Sequence, residues 1–175
     1  MEALQYRELP IVMQALKRIE EDERLSVDIS LLRELQDYTD YSKSLRDISA
    51  ARYKTREDLH KLATPMEEVQ FMRGRVLRIK TGHLPVQRIL KRVWYACTTA
   101  LYEVPEVAKL SPVARKDALF MTVLEPLRER MDNCDLVIET ATEVEKLLAN
   151  AHYTLKELRG INEAFLDELR RDRNR

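Results

Sequence analysis

The chain has 175 residues, 34% of them charged and 6% aromatic, with only three glycines. That length supports a sizeable core, and the composition is that of a long-helix or coiled-coil protein, which excludes a β-sandwich. Thirty basic and thirty acidic residues leave no net charge, which excludes indiscriminate attraction of polyanions over the whole surface.

The first residues, "MEALQYRELP", carry no basic run before an apolar one, so no signal peptide is expected. No stretch approaches the ~20 apolar residues of a membrane span. The expectation is a soluble, cytoplasmic chain (host cytoplasm if viral) with no membrane partner. A short helix is predicted from Pro10 to about Glu23, with Pro10 in its first turn, and "RLSVD" ends it. A long helix is predicted from about Ser30 to Leu62. Its apolar residues Leu31, Leu35, Tyr38, Leu45, Ile48, Leu59 and Leu62 step mostly by three and four. At "ATPMEEV", Thr64 as N-cap, Pro65 at the first position and Glu67 closing a capping box predict a restart or a bend. "KTGHLP" at 80–85 predicts a turn, with Gly82 stopping one helix and Pro85 opening the next, which runs to about Tyr102. "YEVPEVAKLSP" reads as a connector, after which Ser111 caps a helix opened by Pro112.

The last third has the cleanest period. Leu124, Leu127, Met131, Cys134, Ile138, Ala141, Leu148 and Leu155 alternate by three and four, with Glu145 and His152 in the remaining places. About four heptads of this kind predict coiled-coil packing, bent near Pro126, with a charged end, "DELRRDRNR", that frays. The fold expected is all-α, built of long antiparallel helices in coiled-coil hairpins. It is read as a single domain over 1–175: an N-terminal helix (1–27), a long arm (28–82), a basic helix and connector (83–110) and a C-terminal coiled-coil helix (111–175). Narrow apolar seams suggest burial between subunits, hence a homo-oligomer.

Catalytic constellations are scarce. Glu57 and His60 form a single Glu-x-x-His, whereas a di-iron bundle needs two with further carboxylates. His83 lies in a basic stretch, and His152 reads as a core or interface residue. Cys97 and Cys134 read as reduced, packed thiols with no disulfide or metal spacing. No phosphate loop or nucleophile elbow occurs. Neither an enzyme nor any metal or cofactor is expected.

Charge is unevenly spread. Residues 69–102 hold seven Lys or Arg and no acid, between arms of net −4 and −3. Arg73, Arg75, Arg78 and Lys80 precede the predicted turn; His83 lies within it, and Arg88, Lys91 and Arg92 follow. Folded back at Gly82–Pro85, the two clusters would face one groove suited to backbone phosphates. Phe71, Trp94 and Tyr95 flank it as candidates for base stacking. Three readings stay open: nucleic acid, pairing with acidic helices of the same protein or a neighbouring subunit, or another anionic partner. A structural or scaffolding role, as in virion assembly, is the alternative from a different class.

Four stretches, taken in order, resemble the phage recombination mediator family typified by UvsY. They are "VDISLLRELQDYTDYSKSL" (27–45), "VQFMRGRV" around Gly74, the acidic connector "LYEVPEVAKL" (101–110) and "AHYTLKELRGINEAF" (151–165). The resemblance implies an all-helical, ring-forming protein that binds single-stranded DNA. Such proteins help load a RecA-like recombinase onto DNA coated by a single-strand-binding protein. It also implies that Arg75, following Gly74, contacts DNA.

Overall fold

The computed structural model describes residues 3–50, 59–110 and 113–173. The fold is all-α, with no strand among the described residues. After a 3-10 segment (Ala3–Glu8) come α1 (Pro10–Glu21), a second 3-10 turn (Glu23–Leu25) and α2 (Leu31–Ala50). Then follow α3 (Ala63–Tyr102), the one-turn α4 (Pro105–Ala108), α5 (Val113–Val123) and α6 (Glu125–Arg173). The chain divides into two compact units, one of 1–29 with 81–138, the other of 30–80 with 139–175.

In the first unit, α1 opens on Pro10 as its composition dictates, and the 3-10 turn that follows is capped by Asp22, whose side chain accepts from the Arg24 N–H. Two apolar clusters form its core. Tyr6 and Val12 meet Cys97, Leu101, Val107, Phe120, Val123 and Leu124, and Ile19 meets Leu90, Leu127 and Cys134. Basic side chains from outside the acid-free window tie this core down. Arg130 donates to the carbonyls of Ile19 and Leu25.

The junction of α5 and α6 has a chemical cause. Pro126 has no N–H, so the Thr122 carbonyl four residues earlier loses its helical donor. Arg7 supplies one instead, donating to Thr122 O at 2.9 Å and to Val123 O at 3.0 Å, with Glu125 at 3.7 Å from its guanidinium. Pro126 therefore marks the start of α6 rather than a bend inside it. Arg7→Ala removes the donor from the part-buried Val123 carbonyl and leaves the exposed Thr122 carbonyl to water, and is expected to cost about 1 kcal/mol in chemical denaturation.

In the second unit, Leu35 and Leu45 of α2, Val69, Val76 and Ile79 of α3, and Ala141, Val144, Leu148 and Leu155 of α6 are buried. Of the positions predicted for the last third, Leu124, Leu127, Cys134, Ala141, Leu148 and Leu155 are buried, whereas Met131, Ile138, Glu145 and His152 are half-buried, and Val137 and Val144, outside the predicted series, are buried instead. Leu59 and His60 are helical and Lys61–Leu62 form a turn, so α3 begins afresh after a break. Its first helical hydrogen bond runs from Met66 N–H to Leu62 O at 3.2 Å. The N-cap is therefore Leu62, and the expected cap Thr64 lies inside the first turn. The middle of the long helix predicted over 30–62, along with Ser111 and Pro112, lies outside the described residues.

The turn predicted at 80–85 is not formed. α3 is continuous over forty residues, with Pro85 inside it. Local signals favoured a break, since Gly costs about 1 and Pro about 3 kcal/mol in a helix interior. Burial outweighs them. Val76 and Ile79 on one side, and Leu90, Cys97 and Leu101 on the other, are at most 5% exposed. Each such side chain contributes roughly 1.5–3 kcal/mol. Pro85 and Gly82 lie on the exposed face, away from the packed core, and an added Cβ at Gly82 meets nothing within 4 Å.

Candidate nucleic-acid interface

Without the turn, the two basic clusters do not fold back on one groove; they follow one another along a single helix. In the second unit, Arg75 forks onto Glu34 of α2, Nε to Oε1 at 2.9 Å and Nη2 to Oε2 at 3.2 Å. Tyr38 donates to the same carboxylate at 2.5 Å, and Tyr41 donates to Glu68 of α3. Lys80 pairs with Glu145 of α6 at 2.9 Å. Arg73 is half-buried and has no ion pair among the described residues. Arg78 is exposed and has a partner within the protein. The nearby Phe71 ring is 69% exposed.

The Glu34 site has a pH signature. The Arg75 guanidinium holds the Glu34 carboxyl below its ordinary value near 4.5, opposed by burial and helped by the Tyr38 hydroxyl. Burial and the same carboxylate push Tyr38 up to about 12. A depressed carboxylate stabilises the fold above its unfolded pKa, and that contribution is lost as pH falls through the folded value. Between about pH 6 and 3, the wild type should therefore lose stability more steeply than Glu34→Gln. Urea midpoints across that range test this; parallel curves would remove Glu34 as the source.

In the first unit, Lys91 lies 3.7 Å from Asp135 of α6, which also accepts from Gln87 at 2.5 Å. His83 is half-buried with a partner inside the protein, and its carbonyl accepts from the Cys134 thiol at 3.6 Å. Trp94 packs against both apolar clusters, so its ring serves the core. Arg88 and Arg92 differ. Both are exposed, with no ion pair among the described residues.

Helical spacing aligns them with more. Arg88, Arg92, Tyr95, Thr99 and Tyr102 step by four, three, four and three, which keeps them on one face. All five are exposed, Tyr95 by 68% and Tyr102 by 46%. At the helical rise, Arg88 and Arg92 are about 6 Å apart along the axis. Tyr102 closes the strip, edge-on to Phe120 at 4.8 Å with the Lys116 ammonium 5.5 Å from its ring centre.

Burial pushes both Cys97 and Cys134 up to about 11, the wrong direction for a reactive thiolate. Among the described residues no group of three His, Cys, Asp or Glu side chains could hold a metal ion. Glu57 lies outside them, while His60 lines a cleft of about 410 Å³ with Leu59, Arg159 and Asp167. His152 is half-buried, its Nδ1 buried with no hydrogen-bond partner among the described residues. No described helix is long and apolar enough to cross a membrane.

The roles of Glu34, Glu145 and Asp135 escaped the sequence reading because each pairs across the fold, beyond any i,i+4 spacing. The outer strip was legible in principle, because Arg88, Arg92, Tyr95 and Tyr102 keep helical spacing straight through the acid-free window. Comparisons with protein-family models, with curated proteins and with solved structures return no match to this chain.

Proposed function

We propose that this protein is a non-enzymatic single-stranded nucleic-acid-binding accessory protein. Its contact surface in the first unit is the strip of Arg88, Arg92 and Tyr95. The observation that supports this is a pair of exposed guanidiniums with no acid beside them among the described residues, next to an exposed aromatic ring. Guanidiniums bind backbone phosphates by paired hydrogen bonds and release counterions. A ring beside them offers a stacking surface that a duplex, with its bases already stacked, does not need. The resemblance to recombination mediators extends the proposal to partners: a RecA-like recombinase and a single-strand-binding protein, in an assembly of several copies whose multivalency raises avidity. Under this proposal Arg75 meets DNA only by leaving Glu34, so it contributes less than Arg88 or Arg92.

A second reading, a scaffold whose basic helix docks on acidic protein surfaces, draws support from Arg75, Lys80 and Lys91, which are already paired with acids of this chain. Titrating labelled oligo-dT with wild type and with the Arg88→Ala/Arg92→Ala variant, at two salt concentrations, separates them. Salt-sensitive binding that weakens at least tenfold in the variant supports the first reading. No binding at low salt overturns it.

A further inference from the structure

The strip of Arg88, Arg92 and Tyr95 has a second ring beyond it. Tyr102, one heptad on from Tyr95, is the last residue of α3 and is 46% exposed. In a helix it lies about 20° off the face of Tyr95 and about 10 Å farther along the axis. Thr99, between the two, is exposed and short, so it leaves both rings accessible. Tyr102 is also held in place. Phe120 of α5, part of the buried core, meets it edge-on with ring centres 4.8 Å apart. The Lys116 ammonium lies 5.5 Å from its ring centre and donates to the Ala108 carbonyl at 3.0 Å. All of these residues belong to the first unit. A ring already fixed by its neighbours gives up little freedom when a ligand covers its open side. Residues 103–117, which follow it, hold three acids and three bases. Grip at this end of the strip therefore comes from the ring rather than from net charge.

We infer that Tyr102 is a second base-stacking residue: a single strand captured by Arg88 and Arg92 lays one base on Tyr95 and another on Tyr102. This rests on the proposed function and names a further binding residue for it. At about 3.4 Å per stacked nucleotide, the separation of the rings is about three base steps, so they take different nucleotides. Two contacts that far apart with no shared partner contribute independently. Stacking accepts any base because every base has a π-face. The ligand class is therefore unpaired nucleic acid, distinguished from a duplex, whose bases are already stacked, and from a polyanion without bases.

The test titrates the full chain at low salt against labelled oligo-dT and against an abasic strand of equal length, which keeps the phosphates and lacks the bases. Tyr102→Leu keeps an apolar side chain against Phe120 but no ring. It should bind oligo-dT roughly five- to hundredfold more weakly than wild type, with an unchanged salt slope and unchanged binding of the abasic strand. Tyr102→Phe should bind oligo-dT as wild type does, because stacking uses the ring and not the hydroxyl. The factors lost in Tyr95→Ala and Tyr102→Leu should multiply in the double variant. Tyr95→Ala alone should still prefer oligo-dT over the abasic strand, a readout that leaves Tyr102 and its packing intact. A Tyr102→Leu variant that binds oligo-dT like wild type, or that weakens both strands equally, overturns the inference. So does a Tyr95→Ala variant with no preference for bases. In each of these cases wild type still binds oligo-dT through Arg88 and Arg92, and the proposed function stands; a wild type that binds no oligo-dT overturns both.

Discussion

Pro85→Ala is expected to stabilise the protein by roughly 3 kcal/mol, the interval separating Pro from Ala inside a helix. The residue sits within continuous helix, where its ring removes the N–H that the Thr81 carbonyl would accept and crowds that carbonyl. Its side chain is exposed, so the substitution gives up no packing. The entropy that Pro removes from the unfolded chain works in the opposite direction, but the helix-propensity interval already contains it. For a chain of this size, roughly 3 kcal/mol corresponds to a rise of about 6–12 °C in the melting midpoint. Gly82→Ala, with open space at its Cβ, should add about 1 kcal/mol. A midpoint lowered or unmoved by Pro85→Ala would mean that this proline opens a helix after a turn, and the continuous α3 would be wrong.

The Arg88→Ala/Arg92→Ala variant should bind oligo-dT at least tenfold more weakly at low salt. Its slope of log affinity against log salt should shallow by about 1.4, at about 0.7 for each single-strand phosphate that is no longer neutralised. Tyr95→Ala should behave differently, giving up roughly 1–3 kcal/mol of stacking while the salt slope stays put. Arg75→Ala should move the slope less, because Glu34 already occupies that guanidinium. The three variants thus divide charge capture from stacking, and both from internal pairing. An unchanged slope in the double variant would remove this face as the contact surface.

These expectations draw on the sequence unequally. The all-α class, α1 and the seam of the last third were readable because each rests on a short-range period, apolar residues every three or four positions. The cysteines' burial was readable for the same reason. The break at residues 61–62 was half readable: the restart was visible, but the capping box put it two residues late. Leu62 takes the cap with its carbonyl, which leaves no side-chain signature.

What the sequence alone determined was composition along the chain: a basic, acid-free window with aromatics at its end, and an apolar stripe in the last third that runs to Leu155. Tertiary structure decided what that window is. Gly82 and Pro85 are locally turn-forming, and only the buried residues on both sides of them, Val76, Ile79, Leu90 and Cys97, make a continuous helix the lower free energy. Tertiary structure also sorted the cations. Glu34, Glu145 and Asp135, remote in the chain, take Arg75, Lys80 and Lys91, while Arg88 and Arg92 stay on the outer face because the core lies on the other side of their helix. Helical periodicity fixes which residues share a face; the partners brought up by folding fix which face remains open.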